Sequence, residues 1–454
     1  MKFDCIIIGG GPGGYVAAIR GAQKGLNVAL VEEKHLGGVC LNWGCIPTKA
    51  LLKSAEIYAM AKKAPEFGVS FGEVTFDLDK MVARSRSVAG QLAGGVKGLL
   101  KKNKVTVFDG RGKLLGGGKV AFGTQVLEAK NIILATGARA KNLPHIQADG
   151  KIIWSAADAM VPNCLPKKLL VLGSGAIGIE FASFFNALGC EVTVVEVQSQ
   201  ILPQEDAEIA NLARKAFEAK GIKILTSATV EAVSLKDNSL GATINKENHI
   251  FDRMILAVGI QGNIEDLGLE KTKVKTDRGF IVTKDFALTD EPGVYAIGDV
   301  ASPPWLAHKA SHEGILAIDH ITGDKHAKPL NPKNIPGCTY SSPQIASIGL
   351  TEKQALDAKL EIKVGRFSGM GNGKALAIGS PENFVKVIFH AKTGELLGAH
   401  LLGSEVTEMI HSFALCKTLE TTEQEMMHTV FPHPTLSEMI HEAVLNSQNL
   451  TIHM

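Results

Sequence analysis

The chain has 454 residues, 45% hydrophobic and 21% charged, and a net charge of +2 from 48 basic and 46 acidic side chains. Length points to about three domains, and the near-even charge with no basic run excludes a nucleic-acid binder. No apolar run reaches membrane-spanning length, and the chain enters a strand-like run at Cys5-Ile6-Ile7-Ile8 with no charged-then-apolar leader before it. The expectation is a cytoplasmic protein with no membrane partner.

Residues 4–32 read DCIIIGGGPGGYVAAIRGAQKGLNVALVE, and residues 169–196 read LLVLGSGAIGIEFASFFNALGCEVTVVE. Each is an apolar strand, a glycine turn, a helix rich in small residues and a second strand ending in Glu. The spacing from Gly9 to Glu32 equals that from Gly173 to Glu196, 23 residues. One such fingerprint is weak; two in register predict two dinucleotide-binding units. Gly9 and Gly173 permit the tight turn. Gly11 and Gly175 let backbone approach a pyrophosphate at a helix N-terminus. Gly14 and Gly178 let helix pack on strand, and Glu32 and Glu196 can each accept from an adenosine ribose. No arginine follows Glu196 in Val197-Gln198-Ser199-Gln200, which favours NAD over NADP at the second unit.

Residues 46–64 read as a helix with Pro47 in its first turn. A second helix is expected from Phe76 to Leu100, interrupted by glycines. Residues 104–134 alternate like short strands around Gly116-Gly117-Gly118, and buried strands are expected before Gly137 and Gly259. Asn331-Pro332 marks a boundary, followed by a strand from Phe384 to Phe389 and helices near 404–420 and 436–446.

Of seven cysteines, five are scattered among apolar neighbours and read as small buried hydrophobes. Cys40 and Cys45 stand close. In a regular helix a five-residue spacing is about 7.5 Å along the axis, and a disulfide wants Cα atoms within roughly 4.4–6.8 Å. A bridge therefore needs a distorted turn, which Asn42 and Gly44 permit. Cys45 then opens the next helix, where partial positive charge favours a thiolate, with Lys49 on the same face. A pair of plain buried thiols, half a zinc site and a structural disulfide are the competing readings; no second cysteine pair completes a zinc site, so no metal is expected. Beside two nucleotide units, redox chemistry leads.

The string GGVCLNWGCIPTKALL resembles the active-site segment of the FAD-dependent pyridine nucleotide-disulfide oxidoreductases, in their dihydrolipoamide-oxidising branch. The likeness runs over essentially the whole chain. Its other anchors are Ala135-Thr136-Gly137, Tyr295-Ala296-Ile297-Gly298-Asp299, Ala307-His308-Lys309-Ala310 and His433-Pro434-Thr435-Leu436-Ser437-Glu438. It implies an α/β fold of two Rossmann-like dinucleotide-binding domains, for FAD and NAD, plus a C-terminal α+β dimerisation domain. The divisions expected are 1–145 for FAD with the redox pair, 146–266 for an inserted NAD domain, 267–331 completing the FAD site and 332–454 for the homodimer interface.

The resemblance also implies roles. Cys40 exchanges with substrate, and Cys45 is the sulfur beside the flavin. Lys49 sits near the flavin's reactive nitrogen and pairs with Glu180. Asp299 binds the ribityl hydroxyls. Thr136, Gly137, Ala307 and His308 border FAD, and Gly259 borders NAD. His433 is the base, acting across the dimer on Cys40 of the partner subunit. Glu438 either orients His433 or closes a Thr435-x-x-Glu438 capping box; the likeness favours orienting. The expected substrate is the dihydrolipoyl domain of a 2-oxo acid dehydrogenase complex's acyltransferase. A reductase of another small disulfide and a non-catalytic redox sensor are the alternatives. Two departures stand out: Trp43 occupies a place often held by a smaller residue and should narrow the mouth near the cysteines, and Ile260-Gln261-Gly262-Asn263 lacks an arginine common in that turn.

Overall fold

The apolar run Ile6-Ile7-Ile8 is buried on both faces, as a central parallel strand requires, and the first sheet is built around it. A computed structural model describes residues 1–453 and divides the chain into two compact units. The first comprises Met1–Leu51, Asp77–Lys141 and Gly259–Leu330; the second comprises Leu52–Phe76, Asn142–Val258 and the chain from Asn331 onward.

In the first unit, β1 (Lys2–Ile8) leads through α1 (Pro12–Gln23) to β2 (Val28–Glu32). Two helices follow with one residue between them, α2 (Gly38–Trp43) and α3 (Cys45–Lys63), then α4 (Leu78–Lys102) and strands β3 (Thr106–Asp109), β4 (Gly112–Gly116), β5 (Lys119–Phe122) and β6 (Gln125–Leu134). The sheet runs β3-β2-β1-β6, parallel throughout, with β5 and β4 added antiparallel beyond β6. The strand Val294–Ala296 returns from late in the chain to pair parallel with β6, and the helix Ala307–Ile321 packs against α1. The strand ends carrying Gly9, Gly137 and Asp299 thus belong to one sheet.

The expected interruption of α4 is absent. Gly90, Gly94, Gly95 and Gly98 all lie within it, and a Cβ on any of them would meet open space. Each costs about 1 kcal/mol of helix propensity against alanine. That cost is opposed by burial of Ser85, Ala89, Val96 and Leu100 on the inner face and by the Asp77 side chain capping the Lys80 N–H.

The second unit holds a parallel sheet in the order Lys223–Leu225, Glu191–Val195, Lys168–Leu172, Arg253–Leu256, Ile153–Trp154. A three-stranded antiparallel meander spans Val230 to Phe251. The chain beyond Asn331 forms a five-stranded antiparallel sheet in the order Gly337–Thr339, Gln344–Gly349, Leu396–Gly403, Phe384–His390, Ile362–Ser368. The helices Val406–Thr418 and Glu438–Ser447 cover it. Among the described residues no helix is long and apolar enough to cross a membrane.

Candidate active site

The sequence repeat is also a repeat of hydrogen bonds. The Glu32 Oε2 accepts the Gly10 N–H at 2.6 Å, and Oε1 accepts from Lys34 and His35. In the second copy Glu196 Oε2 accepts the Ser174 N–H at 3.0 Å and the Ser174 hydroxyl at 2.6 Å, and Oε1 accepts from Gln198. Each acid therefore braces its own glycine turn, a task the sequence reading did not assign. A carboxylate pair of oxygens offers about four acceptor positions, so capacity for a ribose remains.

The turns pack against their strands and helices only because they lack side chains. Gly9 has φ +105° and Gly173 φ +100°; a Cβ on either would lie 2.2–2.3 Å from the carbonyl oxygen of Ala135 or Ala257. On Gly14 or Gly178 it would lie within 2.0 Å of the carbonyl of Gly9 or Gly173. Gly11 and Gly175 cap their helices without a side-chain acceptor, so the first-turn N–H groups are left to a ligand. Both turns have the form of a phosphate cradle, and the residues present would fit dinucleotides.

Within the first unit the pair sits beside its cradle. Gly38 approaches Gly11 so closely that a Cβ there would meet the Gly11 Cα at 2.7 Å. Cys40 lies on α2, Gly44 breaks the chain at φ −150°, and Cys45 begins α3. Both cysteines are thiols that hydrogen-bond each other. That bond, then burial, push the Cys40 thiol up, while Lys49 pulls it down and Asp299 opposes Lys49. Of the remaining cysteines, Cys5 and Cys190 are buried, with burial raising each thiol to about 12. Cys164, Cys338 and Cys416 are only half-buried, contrary to the expectation for all five.

Asp299 follows the strand Val294–Ala296 and is half-buried, and burial raises its carboxyl with Lys309 and Glu313 as charged neighbours. Its turn is fixed by the Gly298 N–H donating to Glu313 (2.8 Å), which is paired with the buried Lys309 at 2.8 Å. Lys309 also donates to the Ser302 carbonyl at 2.7 Å, so this lysine braces the turn. Ala307 and His308 open a helix with no side-chain cap. Thr136 and Asn263 exchange hydrogen bonds at 2.8 and 2.9 Å, and Gly137 follows at φ +66°. In the turn after Gly259, Asn263 and Glu265 are held from the paired strand by Arg139, which donates to Asn263 Oδ1 at 3.0 Å and to Glu265 at 2.7 and 3.0 Å. Gly259 itself has φ +111°.

In the second unit Glu180 is buried on the helix Ala176–Ala187 and accepts the Tyr340 N–H at 2.9 Å. His433 Nδ1 meets Glu438 Oε1 at 2.9 Å, while Glu438 Oε2 accepts the Thr435 N–H at 2.8 Å. The capping-box alternative is not formed: the helix Glu438–Ser447 starts after Ser437 with no side-chain cap, and the Thr435 hydroxyl donates to the Pro432 carbonyl.

The family profile "Pyridine nucleotide-disulphide oxidoreductase" matches residues 3–314, and that family's dimerisation domain matches residues 335–444. The chain belongs to the pyridine nucleotide-disulphide oxidoreductases. Curated relatives within this family include the dihydrolipoyl dehydrogenases of Zymomonas mobilis (52% identical; 99% of each chain covered) and Rhizobium etli (52%; 98% of each). Similar solved structures are LpdA of Mycobacterium tuberculosis, with TM-score 0.91 and 26% identity over 99% of this chain and 100% of that one, and the HOCl-induced flavoprotein disulfide reductase RclA of Escherichia coli. The latter has TM-score 0.88 and 25% identity over 98% and 99%. The family assignment makes this an α/β flavoprotein oxidoreductase with FAD and NAD as cofactors.

Proposed function

We propose that this oxidoreductase transfers electrons from dihydrolipoyl groups, carried by the acyltransferase of a 2-oxo acid dehydrogenase complex, to NAD⁺ in the cytoplasm. The observation that carries this reading is the hydrogen-bonded Cys40–Cys45 pair at the start of a helix, beside Lys49, Asp299 and the first phosphate cradle.

In the oxidised pair, one thiolate of the substrate attacks Cys40 Sγ and breaks the Cys40–Cys45 bond. The second substrate thiolate closes the lipoyl disulfide and releases Cys40. Thiolate is the nucleophile throughout. His433 accepts the substrate's proton, oriented by Glu438, and does so on the partner subunit's Cys40 in a homodimer. The first glycine cradle with Glu32, Lys49, Thr136, Asp299 and His308 would hold FAD; the second, with Glu196, would hold NAD. Bound FAD supplies the two-electron relay between the dithiol and the nicotinamide. The net reaction is dihydrolipoyl plus NAD⁺ to lipoyl, NADH and H⁺. Glu196 at the end of its strand disfavours a 2′-phosphate. Steady-state NADH formation from dihydrolipoamide tests the reading; turnover confined to NADPH with another disulfide such as glutathione would replace it.

A further inference from the structure

Three consecutive residues of α4 donate to backbone carbonyls of the segment that carries the cysteines. Arg84 Nη1 reaches the Ala50 carbonyl at 3.2 Å, Ser85 Oγ the Pro47 carbonyl at 3.0 Å, and Arg86 Nη2 the Asn42 carbonyl. Arg86 also lies over the Trp43 ring, 4.5 Å from its centroid. Asn42 and Trp43 are two of the four residues between Cys40 and Cys45. The Asn42 carbonyl belongs to the last turn of α2, where carbonyls lack intrahelical donors. Asn42's own side chain donates to the Leu36 and Gly38 carbonyls at 3.0 and 2.9 Å. The intercysteine turn is thus tied down by the Asn42 side chain and by Arg86, which both donates to the Asn42 carbonyl and stacks on Trp43. Burial lowers the Arg86 pKa, which is the signature of a partly dehydrated cation, and dehydration strengthens both the stack and the charge-assisted hydrogen bond.

We propose that Arg86 is a positioning residue for the redox pair: by stacking on Trp43 and capping the Asn42 carbonyl, it holds the turn so that Cys40 and Cys45 close and open with little reorganisation. This rests on the reading of Cys40 and Cys45 as the redox centre. The free energy of the dithiol–disulfide equilibrium includes the cost of bringing two sulfurs together, and a clamped dithiol has already met it. Without the clamp the dithiol gains freedom and the disulfide becomes easier to reduce. Lysine cannot substitute, because it lacks the planar face that stacks and the fork that donates in that plane.

The test equilibrates FAD-loaded wild type, Arg86→Met, Arg86→Lys, Trp43→Leu and the Arg86→Met/Trp43→Leu double variant in dithiothreitol redox buffers. Thiols are trapped by alkylation and counted by mass. The expected result is a shift of about tenfold in the reductant ratio at half-reduction for Arg86→Met, about 30 mV toward easier reduction. Arg86→Lys should fail to restore the wild-type midpoint, and the double variant should shift no further than Arg86→Met. NADH oxidation by ferricyanide should be unchanged. Wild-type midpoints in both Arg86→Met and Trp43→Leu would overturn the proposal, and Trp43→Leu alone decides it if the arginine variants do not fold. A wild type whose Cys40 and Cys45 never oxidise to a disulfide would overturn the parent reading as well, a result visible before any variant is compared.

Discussion

His433 Nδ1 and Glu438 Oε1 stand 2.9 Å apart, with the second carboxylate oxygen held by the Thr435 N–H. Burial works against the Glu438 carboxylate, but the Thr435 N–H and His433 outweigh it, and its pKa is lowered. A depressed carboxyl contributes stability above its unfolded pKa and loses it as pH falls through the folded one. Glu438→Gln should therefore cost Tm at neutral pH and converge with wild type in acid. In turnover, His433→Gln should lose about 10²–10⁴-fold in kcat with dihydrolipoamide, as a general base does, and Glu438→Gln less.

Cys40→Ser and Cys45→Ser should each abolish dihydrolipoamide oxidation. Both should keep bound flavin and NADH oxidation by ferricyanide, which draws on the flavin directly. Loss of ferricyanide activity in either would show that the pair supports the flavin site and not only the dithiol step.

A buried lysine anchors the second unit. Lys386 is 2% exposed and meets Asp206, Glu208 and Glu352 at 2.8, 2.9 and 2.7 Å. Arg366 bridges Glu208 and Glu352 at 2.8 and 3.1 Å. Lys386→Met leaves acids without their buried cation, a loss on the order of 3–5 kcal/mol for a broken buried pair. Calorimetry of the holoenzyme should show a clear fall in Tm with unchanged turnover at low temperature.

Next to that network Glu205 lacks a partner for Oε2, and burial, helped by Asp206 and opposed by Ser347, raises its carboxyl to about 7. A raised carboxyl stabilises the fold fully below its unfolded pKa and ceases to do so as pH rises through the folded value. Glu205→Gln should accordingly raise Tm relative to wild type at about pH 8 and lose that advantage near pH 5. An advantage equal at both pH values would show that Glu205 does not titrate there.

What the sequence disclosed follows the range of the forces involved. Gly9, Gly14, Gly173 and Gly178 were legible because a Cβ would strike backbone within a few residues of the motif or across one strand pair. The His433–Glu438 link was legible because it spans five residues. Arg86 was not: it reaches Asn42 across 44 positions, and on a helix it reads as a solvated charge. Lys386 was invisible for the same reason, since its partner Asp206 lies 180 residues away. Glu32 and Glu196 were found, but for ligand contact alone; their bonds to Gly10 and Ser174 emerge only when the strands lie side by side.

The most direct measurement is an anaerobic titration of the flavin-loaded protein with dihydrolipoamide, followed through the visible spectrum, with NAD⁺ added at the end. Two electrons should produce a long-wavelength thiolate-to-flavin band, and NAD⁺ should then abolish it with formation of NADH. A flavin that stays oxidised under dihydrolipoamide, or that responds only to glutathione with NADPH, would contradict the assignment of Cys40, Cys45 and the lipoyl substrate to one electron path.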